Sequence, residues 1–281
     1  MKKVDLHIHS CFSSDGEVDP DEIVNTLKYK GFYALSITDH DSMEAYPSVL
    51  ESGNREGIEI IEGVELTTGY KGREVHLLAY FLDHRKAGTL IEKISATRME
   101  LTRKRLEKLS ALGMEISFDE VMAKSHGRPP TGPIIAEIAI NKYSLKKYLR
   151  EKDPVRSFYY DYFLPGKPAF VERVYIPIKE AISMVLELKA VPVLAHPGAY
   201  IPFTEEEIED LKESGLIGIE VRNSYHSKKQ VDFYGELALK FSLVPTCGSD
   251  FHGRRKPHIA LGSVYCDYDI VEQLKRRRDG L

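Results

Sequence analysis

Short apolar runs of strand length recur along the chain, and most of them end in a histidine or a carboxylate. The first is Val4-Asp5-Leu6-His7-Ile8-His9. Side chains alternate faces along a strand, so Asp5, His7 and His9 share one face while Val4, Leu6 and Ile8 take the other. Ala34–Ile37 leads straight into Thr38-Asp39-His40-Asp41, and Ile58 to Glu65 forms a third run. His76 lies inside a fourth, Glu74 to Phe81. Val191–Ala195 ends at His196, Ile217–Val221 ends near Asn223 and His226, and Leu243–Thr246 runs on to Asp250 and His252. Helical patterns separate most of these runs, for example the one opened by Asp19 as N-cap and Pro20, with Ile23, Val24 and Leu27 at helical spacing. The alternation predicts an α/β fold with a largely parallel sheet or barrel. In a β/α barrel the carboxyl ends of the strands gather on one face. His9, Asp15, His40, Glu65, His196, Asp250 and His252 would meet there, with His7 and His76 inside their strands.

From Ala87 to about Leu112 the pattern changes to a long charged helix, and shorter helical stretches follow. The breaker cluster Gly127-Arg128-Pro129-Pro130-Thr131-Gly132-Pro133 interrupts them. Residues 96–166 therefore read as a small helical insertion capping the active site of a body made of residues 1–95 and 167–281. The insertion carries 13 Lys and Arg against 9 Asp and Glu, a net +4 that leaves −8 for the rest of a chain whose total is −4. A mildly basic segment set in an acidic body suits an anionic substrate meeting a carboxylate-rich metal site, and equally a solvated helix surface. The total charge gives no reason to expect a protein that coats nucleic acid. No apolar run approaches a membrane span and the start lacks a signal peptide's apolar stretch, so the expectation is cytoplasmic, with no membrane and no stable protein partner. Cys11, Cys247 and Cys266 have neither finger nor CxxC spacing and read as reduced thiols.

Imidazole and carboxylate ligands without thiolate suit Zn, Mn or Fe. Clustered divalent ions in turn suit phosphate ester hydrolysis by a metal-activated hydroxide, and the Ser13-Ser14 pair reads as loop structure. Asp5 and Asp39 are candidates to orient imidazoles, or to brace turns.

The set Asp-Leu-His-Ile-His-Ser…Ser-Asp-Gly, Thr-Asp-His-Asp, Gly-Val-Glu, Val-His-Leu-Leu, Leu-Ala-His-Pro-Gly and Gly-Ser-Asp-Phe-His-Gly resembles the polymerase and histidinol phosphatase (PHP) family, in order and over nearly the whole chain. The resemblance implies a distorted (β/α)7 barrel with three divalent ions. It places His7, His9, Glu65 and Asp250 on the first, Glu65, His76 and His196 on the second, and Asp15, His40 and His252 on the third. Gly-Arg-Pro in the insertion resembles the branch acting on nucleotides and makes Arg128 a substrate-phosphate residue. Related proteins usually continue that motif with His, where this chain has Pro130; His126 is a candidate stand-in. Asn223, His226 and Arg222 resemble substrate positions, with His226 a candidate proton donor beside Asp250 as the catalytic residues. His84 and His258 match none of these motifs. The reading is a phosphoesterase acting on a small nucleotide such as a nucleoside 3′,5′-bisphosphate. The alternatives are a 5′–3′ exoribonuclease on short 5′-phosphorylated RNA, a histidinol phosphatase, and a catalytically silent binding module.

Overall fold

The computed structural model describes residues 1–125 and 127–281; His126 lies outside the described residues. The chain divides into two compact units, residues 1–91 with 176–281, and residues 92–175.

The first unit begins with β1 (Lys3–Ile8), α1 (Pro20–Tyr29), β2 (Phe32–Ile37), α2 (Tyr46–Glu56), β3 (Glu59–Ile60), β4 (Gly63–Tyr70) and β5 (Arg73–Tyr80). Then α3 (Gly88–Ser110) runs into the second unit, which holds α4 (Phe118–Lys124), α5 (Gly132–Lys142), α6 (Lys146–Leu149) and α7 (Pro154–Tyr162). The first unit resumes with α8 (Ile178–Glu187), β6 (Val191–Leu194), α9 (Glu205–Glu213), β7 (Gly218–Asn223), α10 (Lys228–Lys240), β8 (Val244–Gly248), β9 (Cys266–Asp267) and α11 (Asp269–Arg278). The start signals act as expected. Asp19 accepts the Asp21 N–H at the head of α1, and Ile23, Val24 and Leu27 are buried beneath it.

The strands form two sheets, ordered β3-β2-β1-β9 and β4-β5-β6-β7-β8. β1, β2 and β3 are parallel, as are β6, β7 and β8, but β5 runs antiparallel to both β4 and β6. The expected largely parallel sheet fails at that strand because Lys71 and Gly72, with φ of 47° and 78°, close a two-residue hairpin between β4 and β5. Nor do the sheets close into one hydrogen-bonded barrel among the described residues. They meet through isolated bridges, Ile8 with Phe251 and His40 with Glu65. Those two bridges fall among the residues expected to bind metal.

Beneath them lies a core that draws Val4 and Leu6 of β1 together with Leu78, Tyr80, Val191, Val193, Val244, Val271 and Leu274. Burying apolar area of this kind stabilises the body by about 25 cal/mol per Å². The same core corrects the reading of the cysteines. Cys247 and Cys266 are joined as a disulfide, with Cα atoms 6.0 Å apart, and Cys11 is free. Val4 explains the pairing: it is in register with Cys266, and its carbonyl lies 3.7 Å from Cys247 Sγ.

The helical unit has its own core, including Leu106, Leu109, Val121, Ile135, Ala139, Phe158 and Phe163. It is longer than residues 96–166 because Ala169 belongs to that core and its N–H donates to the Tyr162 carbonyl. α5 and α7 approach closely at Gly132, where a Cβ would stand 2.5 Å from the Tyr159 ring. Among the described residues no helix is long and apolar enough to cross a membrane.

Candidate metal centre

The two expected face-sharing histidines of β1 are both fully buried; eight of the nine residues singled out as ligands fall into overlapping groups, and His196 joins them through Glu65. One carboxylate organises it. Glu65 Oε2 lies 3.1 Å from His7 Nε2, 3.0 Å from His9 Nε2 and 3.4 Å from His40 Nδ1, while Oε1 lies 2.8 Å from His76 Nδ1 and 2.9 Å from His196 Nε2. Asp250 Oδ1 lies 3.3 Å from His7 Nε2 and 3.1 Å from His9 Nε2. Asp15 Oδ2 stands 3.3 Å from His252 Nε2 and 3.6 Å from His40 Nε2. Glu65 reaches this place from the start of β4, not from the carboxyl end of a strand. The apolar run from Ile58 breaks after Ile60, and pairing restarts at Gly63.

The backbone bends hard to deliver these groups. Asp41, His196 and Asp250 all have positive φ, at 49°, 23° and 55°. Gly248 lets β8 close on β1: a Cβ there would fall 2.1 Å from His7 Cβ and 2.6 Å from the His7 nitrogen. That approach permits the Asp250 N–H to donate to the His7 carbonyl at 2.8 Å.

The residues present fit metal ions. Ligand atoms of His7, His9, Glu65 and Asp250 form one compact group, those of His9, Asp15, His40 and His252 a second, and those of His40, Glu65 and His76 a third. His9 Nε2, His40 Nδ1 and His252 Nε2 are buried without a hydrogen-bond partner among the described residues. They face carboxylate oxygens without hydrogen-bonding them, an arrangement that cations between the two would satisfy. Burial opposes ionisation of Glu65, but the imidazoles of His40, His7 and His76 outweigh it and hold the carboxyl well below its usual range.

The acids expected to orient imidazoles do something else. Asp5 accepts from the Ser249 N–H at 2.9 Å and the Ser249 hydroxyl at 2.6 Å, and Asp39 accepts from the Ser10 N–H and hydroxyl, both at 2.6 Å. Each braces the residue next to a member of the cluster, Ser249 beside Asp250 and Ser10 beside His9. Burial, against these hydrogen bonds, raises Asp5 to about 7. The imidazole partner is Glu220, which the sequence reading missed. Its fully buried carboxylate lies 3.1 and 3.2 Å from His7 Nδ1 and accepts from the His196 N–H at 2.8 Å. A lone acid in the apolar strand Ile217–Val221 was the available signal.

Ser13, read as loop structure, donates to Asp15 at 2.7 Å and lies 3.3 Å from His9 Nδ1. Lys256, also missed, reaches Asp250 Oδ2 at 3.3 Å. Tyr225 and Tyr200 stand edge-on to the His196 ring, at 6.0 and 6.2 Å, and 6.3 Å from each other.

The expected substrate residues divide. Asn223 is buried at the end of β7, and its Nδ2 has no hydrogen-bond partner among the described residues. His226 has both ring nitrogens engaged, Nδ1 with the Val221 carbonyl at 2.9 Å and Nε2 with the Gly198 N–H at 3.0 Å. Burial lowers its pKa further, so the geometry fits a neutral brace for the turn after His196 better than a proton donor. Arg222 is exposed and lines a 1140 Å³ cavity with Cys247, Tyr265 and Cys266, apart from the nine clustered side chains. Arg128 lies in the helical unit, four residues before α5.

A fold that gathers this acid and imidazole cluster from its strands and the loops after them defines a class, the metal-dependent phosphoesterases. The chain belongs to the PHP domain family, whose model matches residues 5–150. It is 28% identical over 89% of its length to a 5′-3′ exoribonuclease of Haemophilus influenzae, of which 90% is covered. It is 27% identical over 90% of its length to a 3′,5′-nucleoside bisphosphate phosphatase of Chromobacterium violaceum, with 88% of that protein covered. A phosphoribosyl 1,2-cyclic phosphate 1,2-diphosphodiesterase of Eggerthella lenta is 28% identical over 91% of this chain and 97% of its own. Among solved structures, a Bifidobacterium adolescentis protein described as a metal-dependent phosphoesterase superposes with a TM-score of 0.81 at 25% identity, covering 98% of this chain and 96% of that one.

Proposed function

We propose that this phosphoesterase removes a phosphate from a small nucleotide such as a nucleoside 3′,5′-bisphosphate. The observation that carries the reading is Glu65, one buried carboxylate within 3.4 Å of five imidazoles. On this reading the two sheets are halves of a distorted seven-stranded barrel. Three divalent ions, of Mn, Zn or Fe, would be held by His7, His9, Glu65 and Asp250, by Glu65, His76 and His196, and by Asp15, His40 and His252. Such ions, when bound, lower the pKa of water and neutralise phosphoryl oxygens.

The chain's own groups do the rest. Glu220 fixes His7 so that Nε2 faces Glu65 and Asp250. Lys256 adds a positive charge at the mouth beside Asp250. Asn223 offers its unmet donor to a phosphate or ribose oxygen. Tyr200, 74% exposed, and Tyr225 form an aromatic wall suited to a nucleobase. Arg128, in the Gly-Arg-Pro motif, is read as a phosphate grip.

An end-on 5′–3′ exoribonuclease would use the same pocket, and the Haemophilus influenzae relative favours it as a second reading. A phosphate-release panel separates the choices: nucleoside 3′,5′-bisphosphate, 5′-phosphorylated oligoribonucleotide, a cyclic phosphoribosyl diester and histidinol phosphate, with Asp250→Asn as control. Preferred turnover of the bisphosphate supports the reading. Turnover of none favours a binding module, and turnover surviving in the control excludes this site.

A further inference from the structure

We propose that Ser13 is a positioning residue of the metal centre: its one hydroxyl sets His9 and Asp15 together, and the ion assigned to Asp15, His40 and His252 depends on it. The inference rests on the three-ion reading above. Ser13 lies in the loop between β1 and α1, is 3% exposed, and touches three residues of one compact ligand group with a single oxygen. Its Oγ stands 2.7 Å from Asp15 Oδ1, 3.3 Å from His9 Nδ1 and 3.3 Å from the His40 backbone nitrogen. A hydroxyl has one proton to give and two lone pairs to offer. The Asp15 carboxylate can only accept, so it takes the proton. The His40 N–H can only donate, so it takes one lone pair. The second lone pair is left for His9, whose Nδ1 must then carry the hydrogen.

Two consequences follow for the ligand atoms. The free lone pair of His9 lies on Nε2, the buried atom without a hydrogen-bond partner among the described residues, 3.0 Å from Glu65 Oε2 and 3.1 Å from Asp250 Oδ1. Asp15 has Oδ1 engaged and turns Oδ2 toward His252 and His40, at 3.3 and 3.6 Å. Of these residues Asp15 leans on Ser13 most. His252 follows β8 and has Nδ1 on the Asp250 carbonyl at 2.8 Å, and His40 is bridged to Glu65 through the backbone. Asp15 belongs to no strand or helix, and its side chain is 30% exposed. The loop that carries it folds back on itself. Ser13 N–H donates to the Ser10 carbonyl at 3.0 Å, and Gly16 passes so near that a Cβ would fall 1.9 Å from the same oxygen. Asp39 in turn grips Ser10. The backbone thus fixes Ser13, and its hydroxyl carries that order to Asp15.

The test strips the full chain of metal by chelation and titrates it with Mn2+, following the free ion by electron spin resonance and counting bound metal. Metal-free melting temperatures are measured alongside. Asp15→Asn should bind one ion fewer than the wild type. Ser13→Ala should hold that same ion roughly 10- to 100-fold more weakly, with the remaining ions affected less. Ser13→Thr, which keeps the hydroxyl, should restore it. Wild-type affinities in Ser13→Ala, beside a lost ion in Asp15→Asn, refute the role of Ser13 and leave the three-ion reading standing. A lowered metal-free melting temperature with unchanged affinities refutes it equally, since Ser13 would then only hold its loop. If Asp15→Asn loses no ion, the three-ion reading fails and the proposal falls with it.

Discussion

Glu220→Gln isolates the part of the centre that depends on orientation alone. The carboxylate now accepts from two donors, His7 Nδ1–H at 3.1 Å and the His196 N–H at 2.8 Å, and so holds the His7 proton on Nδ1 and its lone pair on Nε2. An amide of the same shape can satisfy only one of them. If its oxygen faces His7, its NH2 opposes the His196 N–H. In the other orientation the NH2 faces Nδ1 and drives the proton onto Nε2, toward Glu65 and Asp250. One charge-assisted hydrogen bond is lost either way, about 1.5–3 kcal/mol. Part of it falls on the fold, and the remainder should appear as a roughly 10–100-fold loss of metal affinity. The assay is competition of the metal-free protein against a chromophoric chelator, with bound metal counted and the metal-free melting temperature measured alongside. Wild-type affinity and stoichiometry in Glu220→Gln would falsify the orienting role. A lower melting temperature with unchanged affinity would reduce Glu220 to a structural residue.

Four further outcomes follow from geometry. Gly248→Ala forces a Cβ against the His7 backbone, so destabilisation of about 1–3 kcal/mol or more is expected in denaturant melts, with metal content falling in step; a neutral result contradicts the close seam. Reducing the Cys247–Cys266 disulfide should cost about 3 kcal/mol for its sequence separation of 19, and a thiol count of three on the unfolded, unreduced protein would show that the bond does not form. Tyr200→Ala should raise KM for nucleotide substrates by roughly 5- to 150-fold relative to ribose 5-phosphate, and an equal effect on both removes it from base recognition. Arg128→Ala should raise KM strongly at normal metal content; unchanged KM takes Arg128 out of the substrate site.

The clustered histidines and acids were legible because their chemistry is local. A histidine or acid in or just after an apolar run stands out whatever the rest of the chain does, and the fold brings nine such residues together. What escaped depended on partners far along the chain. Glu220 looks like one acid in a strand until His7, 213 residues away, is placed against it. Asp5 and Asp39 were picked out for their position beside ligands, but the serines they hold could not be foreseen. Lys71-Gly72 is a weaker hairpin signal than Asn-Gly, so the reversal of β5 was missed, and with it the failure of a single parallel barrel. Cys247 and Cys266 have no diagnostic spacing; only their common neighbour Val4 pairs them.

The seam between β1 and β8 also sets an order of events during synthesis. Asp5 and Ser249, which meet across it, are 244 residues apart in sequence. At ordinary translation speeds roughly 10–50 s separate the emergence of the two. Throughout that interval His7 and His9 are made but lack Asp250, so a nascent chain offers metal only part of the proposed ligand set. Full metal loading is then expected only once residues 244–252 have emerged and met β1, and ribosome-bound chains stalled before Thr246 should acquire only part of the metal.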